Sequence, residues 1–197
     1  MTSQIPDVFV FEDQQWTIQG VEHPPLLPED LIRDLKTYGC SAWTRGYLAT
    51  FGLQGDRLIF DGLEADLFSM DQILLGHLPK PSRQPHLIHH IYDNLAYPLP
   101  YSGGLLICQD SMAGLTVNSG FQRPWKFRKV LELRFASGIL TGSRNVSEEM
   151  EVIRNEYAAG GNPTGKYVSG LEISAWVEAM RSLEYDPVTL SNKSKWP

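Results

Sequence analysis

Only two cysteines, Cys40 and Cys108, occur in 197 residues. That is too few for a disulfide-stapled scaffold, and they form no C-x-x-C pair of the kind that holds zinc or exchanges thiols. Each sits among apolar or aromatic neighbours, Cys40-Ser41-Ala42-Trp43 and Leu106-Ile107-Cys108, as small free thiols do. No run approaches the roughly 18 uninterrupted apolar residues of a membrane helix. The stretch Met1-Thr2-Ser3-Gln4-Ile5-Pro6-Asp7 lacks the basic region and apolar core of an export signal, so a cytoplasmic location with no membrane partner is expected. Positive charge is also short: 17 Lys and Arg against 23 Asp and Glu leave a net charge of −6. A general nucleic-acid binder needs a basic stripe to neutralise phosphates, so the expected partner is a protein with a basic surface and not a nucleic acid. The G-x-S-x-G elbow and the H-E-x-x-H zinc helix are absent, which removes the common nucleophile and zinc signatures.

What is present is ordinary globular material, 42% hydrophobic and 20% charged. A chain of this length buries about 70% of the surface its unfolded form exposes. With no repeat and no low-complexity linker, residues 1–197 read as a single domain. Asp7-Val8-Phe9-Val10-Phe11 and Trp16-Thr17-Ile18-Gln19-Gly20 read as strands around the polar turn at Glu12 to Gln15. Pro28 at a first helical position, Leu31, Ile32 and Leu35 on one face, and Gly39 as a stop predict a short helix.

Two hairpins carry the strongest strand signals. Tyr47, Ala49, Phe51 and Leu53 alternate with Leu48, Thr50 and Gly52 before Gln54-Gly55-Asp56 turns into Arg57-Leu58-Ile59-Phe60. Leu131, Leu133 and Phe135 alternate with Glu132 and Arg134 before Ala136-Ser137-Gly138 turns into Ile139-Leu140-Thr141. One apolar and one polar face predict an antiparallel sheet wet on one side. Between the hairpins, His86 to Ile91 and Gly104 to Cys108 read as strands, joined by a connection whose Pro98 and Pro100 restrict it to a loop or sheet edge.

After Ser147 the period changes: Met150, Ile153 and Tyr157 predict an amphipathic helix ended by Gly160-Gly161. The capping pair Ser169 and Glu172 opens a second, with Ile173, Trp176, Val177, Met180 and Leu183 on one face. The fold class is therefore α+β, mainly antiparallel β-sheet with two C-terminal amphipathic helices and a short N-terminal helix.

Candidate chemistry is sparse. His86, His89 and His90 with Asp93 form the one cluster of metal-ligand type, with His77 as a further donor. On a strand, His86 and His90 share a face and His89 points away; on a helix all three converge. Structural histidines are the commoner reading, and no cofactor is expected. Gly160 to Lys166 fits the opening of a phosphate loop, but Tyr167 stands where a Mg²⁺-ligating Ser or Thr is needed, so a helix connector explains it better. Asp61, Glu64 and Asp66, together with Tyr97, Tyr101 and Trp125, are the candidate partner-binding residues. The acids read otherwise as a solvated edge and the aromatics as core. The run Arg123-Pro124-Trp125-Lys126-Phe127-Arg128-Lys129 interleaves bases and aromatics as single-stranded nucleic-acid sites do, although a charged strand edge is the commoner use.

Arg45-Gly46-Tyr47-Leu48-Ala49-Thr50, Tyr101-Ser102-Gly103-Gly104-Leu105-Leu106-Ile107 and Leu131 to Leu140 together resemble a pattern found in small uncharacterised bacterial proteins. The resemblance covers about residues 43 to 143 and implies a bacterial or phage source and a β-rich scaffold, with no activity attached. The function expected from all this is a cytosolic, non-enzymatic protein-binding module, of the immunity type that neutralises a partner protein or toxin, in which an oligomer is compatible. The alternative is an enzyme or small-ligand or metal-binding protein with its site near residues 86–101; a subunit of a larger assembly is a third reading.

Overall fold

The computed structural model describes residues 3–82, 89–115 and 121–158. In chain order the elements are β1 (Val8–Phe11), β2 (Gln14–Val21), α1 (Glu29–Ile32), β3 (Thr37–Tyr38), β4 (Tyr47–Gln54), β5 (Arg57–Leu67), β6 (Lys80–Pro81), β7 (His90–Tyr92), β8 (Tyr97–Pro98), β9 (Gly103–Ser111), β10 (Phe127–Ala136), β11 (Ile139–Asn145) and α2 (Ser147–Ala158).

The hairpins form where alternation and turn chemistry agree. Glu12 and Asp13 take φ of 50° and 58° between β1 and β2, and Ser137 and Gly138 take 49° and 81° between β10 and β11. Left-handed pairs of this kind match the twist of the flanking strands. The Gln54↔Arg57 register leaves a two-residue turn in which Gly55 takes φ of 62°.

The strands do not make an open sheet with one wet side. They run β11-β10-β9-β2-β1-β4-β5, and β11 then returns to β5 at Ile139↔Arg57. Leu58 N–H donates to the Gly138 carbonyl and Leu140 N–H to the Asp56 carbonyl, each at 2.8 Å, so the ring closes into a barrel. Neighbours around the ring are antiparallel except β1 and β4, which pair in parallel at Val8↔Thr50 and Phe9↔Phe51. Closure removes the exposed edges that would template aggregation.

The free flank of β5 beyond Arg57 is covered piecewise. Ile59 and Phe60 pair with β8, the Asp61 carbonyl accepts from Leu95 N–H at 3.0 Å, Leu63 to Ala65 pair with β7, and Leu67 N–H donates to His90 Nδ1 at 3.1 Å, while Asp66 and Leu67 pair with β3 on the other flank. Pro98 is tolerated there because the bond to β5 comes from Leu99 N–H, which donates to the Leu58 carbonyl at 3.0 Å.

A small barrel is filled by its own side chains. Phe9, Ile18, Phe51, Phe60, Leu105, Ile107, Leu133 and Phe135 occupy the interior cluster, each burial stabilising by about 1.5–3 kcal/mol. Outside the wall, Met150 and Ile153 of α2 pack with Leu106, Cys108, Trp125, Phe127, Val130 and Val146. The start of β10 pairs with β9 on one side only, and α2 closes the other: Arg154 donates to the Trp125 and Phe127 carbonyls at 2.9 and 2.7 Å. The run from Arg123 to Lys129 is thus no bare strand edge; its Trp125 and Phe127 are buried, and the Arg123 guanidinium lies 5.9 Å from the Trp125 ring centroid.

The structure is a β-dominated α+β fold that differs from the sequence reading at the N-terminal helix. Pro28 is the N-cap of α1, with an extended ψ of 130°, and α1 is a single turn that stops at Ile32 instead of running to Gly39. Tyr157's side chain, Gly160-Gly161, the Lys166 loop and the Ser169 to Leu183 helix lie outside the described residues, as does His86. Among the described residues no helix is long and apolar enough to cross a membrane.

Candidate functional site

Among the described residues of the histidine segment, His89, His90 and Asp93 each have a partner other than one another, and His86 lies outside the described residues. His89 Nδ1 lies 2.6 Å from Asp66 Oδ1, and its backbone N–H donates to the same oxygen at 2.8 Å. His90 Nδ1 accepts from Leu67 N–H at 3.1 Å, and Asp93 pairs with Lys80 at 2.5 Å. Each ring or carboxylate therefore has a partner within the strand cover of β5, and the His77 backbone pairs with Leu74. Among the described residues no three His, Cys, Asp or Glu side chains come together.

The six residues expected to meet a partner are split by the fold. Tyr101 and Trp125 resolve to core: Tyr101 stands edge-on to Phe135 at 6.3 Å, and Trp125 lies beneath α2. Burial pushes the Tyr101 phenol up to about 12, and its hydroxyl donates to the Gly104 carbonyl at 3.0 Å. Tyr97 is half-buried in the β8 contact. Asp61 accepts from Ala96 N–H at 3.3 Å at a bulge in β5, whereas Glu64 and Asp66 point outward at the alternation that continues to Phe68.

That alternation leads to a surface the sequence reading did not identify. Phe68 and Tyr38 stack with ring centroids 3.9 Å apart, and both rings are 56% exposed. Met70, Ile73 and Leu78, on the same segment as Phe68, are exposed as well. This segment is anchored. Gln72 accepts from Lys36 N–H at 2.6 Å and donates to the Lys36 carbonyl at 3.1 Å, Tyr92 donates its hydroxyl to the Gln72 carbonyl at 2.8 Å, and Leu74 is buried in the core. Lone exposed apolar residues are commonplace; here two are stacked on each other and three more follow on the anchored segment. Asp71 stands at its rim, where the Ser69 hydroxyl holds the carboxyl below its ordinary range.

A second site lies at the same end of the barrel. The parallel register, with Val8 opposite Thr50, brings Asp7 against Ala49 near the start of β4 and within reach of the Arg45 side chain. Arg45 Nη1 and Nη2 donate to the two Asp7 oxygens at 3.0 and 2.8 Å, and Ala49 N–H donates to Asp7 Oδ1 at 2.9 Å. Arg45 Cζ sits 4.9 Å from the Tyr47 ring centroid. Burial alone would lower the Arg45 pKa; the Asp7 charge and hydrogen bonds outweigh it and hold the guanidinium above its ordinary value. Burial likewise raises the Tyr47 phenol, keeping it a neutral hydroxyl.

Beneath the strap that leaves β2, an inner cavity of about 170 Å³ is lined by Asp7, Ile18, Val21, Leu26, Arg45 and Phe121. Beside it a cleft of about 450 Å³ runs past Ile32, Arg33, Leu35 and Thr37, and the two share Pro25, Leu27, Arg45 and Tyr47. Gly46, at φ of 79°, lets β3 approach, since a Cβ there would run into the Thr37 side chain. Thr37 lines the cleft while the adjacent Tyr38 belongs to the exposed platform. No family model, curated protein or solved structure matches the chain.

Proposed function

We propose that the chain is a non-enzymatic binding module that captures a partner protein on the platform of Tyr38, Phe68, Met70, Ile73 and Leu78. The observation that supports this is the exposed Tyr38–Phe68 stack on an anchored segment. Aromatic and Met side chains held rigid offer large contact area at little loss of entropy, as interface centres do. The acids Glu64, Asp66 and Asp71 lead to or edge the platform, and the chain carries −6 overall, so the fitting partner has an apolar centre and a basic rim. A cytoplasmic neutraliser of a basic protein, the immunity type, is consistent with that charge pattern.

The test is co-purification of the tagged chain from its native cells, comparing the native protein with Ile73→Asp and with Val152→Asp, which alters an exposed residue on α2. A stoichiometric basic partner lost with Ile73→Asp, kept with Val152→Asp, and released more readily at high salt is the expected result. A partner indifferent to Ile73→Asp, or a dimer of this chain dispersed by it, would overturn the reading.

A further inference from the structure

We propose that the Arg45 cleft is a binding site for a small amphipathic carboxylic acid, an apolar body with a single carboxylate. The inference is independent of the protein partner and rests on a different set of side chains.

The walls decide the body of the ligand. Pro24, Pro25, Leu26, Leu27, Ile18 and Val21 surround the inner cavity, and Ile32 and Leu35 extend the apolar wall into the outer cleft. The outer cleft, at about 450 Å³, lies within the roughly 300–1,000 Å³ usual for small-molecule pockets. Apolar walls with a few convergent polar groups are the general form of such sites.

The polar groups decide the head. Asp7 already accepts three hydrogen bonds: one oxygen takes Arg45 and the other takes both Arg45 and Ala49 N–H. It therefore offers a ligand little. The Asp7 ion pair uses the Nη1–Nη2 edge of the planar Arg45 cation, and the Nε-bearing edge lies outside that pair, with Tyr47 as the neighbouring hydrogen-bonding side chain. The guanidinium lines both cavities, and its side chain is 35% exposed. Its remaining groups are donors only, and the two-pronged edge of a guanidinium matches a carboxylate better than any single acceptor. Tyr47, neutral and adjacent, supplies a hydroxyl to the same head, and Arg33 on the cleft wall adds a second positive charge against Glu29. Asp7 thus fixes the orientation of Arg45, and Arg45 would make the contact with the ligand.

Calorimetric titration of the full chain with decanoate, decanol and acetate tests the assignment. The expected result is saturable micromolar binding of decanoate, at least about tenfold weaker binding of decanol, and none of acetate. Arg45→Lys, which keeps the charge but removes the fork, is expected to weaken decanoate about tenfold. Since Arg45→Lys can also disturb Asp7, Leu35→Trp provides a second variant that fills the cleft from its wall; it is expected to abolish binding with the melting temperature unchanged. Ile73→Asp on the platform is expected to leave decanoate binding intact, which separates this site from the protein-binding reading. Decanol bound as tightly as decanoate, affinity unaltered in Leu35→Trp, or no saturable decanoate binding below about 1 mM would each overturn the proposal.

Discussion

Asp7 and Glu132 are both carboxylates withdrawn from water and both face arginine, yet their surroundings differ in one respect. Glu132 is 1% exposed and meets Arg134 at 2.8 Å and Arg144 at 3.2 Å. Each of those arginines holds a further carboxylate, Arg134 pairing with Glu22 and Arg144 with Glu149 at 2.9 Å. The chain of charges from Glu22 to Glu149 is closed, cross-linking the end of β2, the wall at β10 and β11, and the first turn of α2. Asp7 meets one arginine, and that arginine opens onto a cavity. A buried carboxylate–guanidinium contact is structural when both ends are consumed and available for binding when one end is not.

The contrast can be broken most forcefully at Glu132. Glu132→Ala empties a buried site shared by two half-buried guanidinium groups that keep only Glu22 and Glu149, and a loss of about 3 kcal/mol in denaturant unfolding is expected. Next in size is an alkaline effect beside the same network. Tyr101 has a folded pKa of about 12 against an ordinary value of 10.0, with burial as the main cause. Its contribution is complete below pH 10 and is lost as pH rises from 10 towards 12, because only the unfolded phenol ionises freely there. Stability measured across that window should fall by up to about 3 kcal/mol in the native protein, and Tyr101→Phe should flatten the slope.

Asp7→Asn should cost less than Glu132→Ala, about 1–3 kcal/mol, since Arg45 can turn to water in the open cleft. Equal losses at Asp7 and Glu132 would erase the distinction between open and closed pairs. Smallest of all, Ile73→Asp on the exposed platform should shift the melting temperature hardly at all, within about 0.5 kcal/mol, while removing partner capture.

Much of the wall was legible from local signals. Alternation with left-handed turn residues marked β1 and β2, β4 and β5, and β10 and β11 as hairpins, because side-chain period and turn geometry are properties of neighbouring residues. The site was not. Arg45 and Asp7 are 38 residues apart and meet only because β1 and β4 pair in parallel, a register that no turn between them encodes. Glu132 and Arg134 read as the wet face of a strand, whereas a facing Arg144 on β11 and a helix beyond it seal that face. The exposed segment after Phe68 carries no local signal, because its Met70, Ile73 and Leu78 follow no strand or helix period, and long-range contacts of Gln72 and Leu74 hold it in place.

The sequence by itself determined which short stretches pair with their neighbours, that α2 is amphipathic at Met150 and Ile153, and that the chain carries excess negative charge. Tertiary structure alone decided that the sheet closes at Ile139 and Arg57, which acids are spent on arginine, and which aromatics face water. Local pattern is written by residues within a turn or two of one another. Closure, charge pairing and exposure depend on contacts between segments far apart in the chain, whose register is fixed only when the barrel forms.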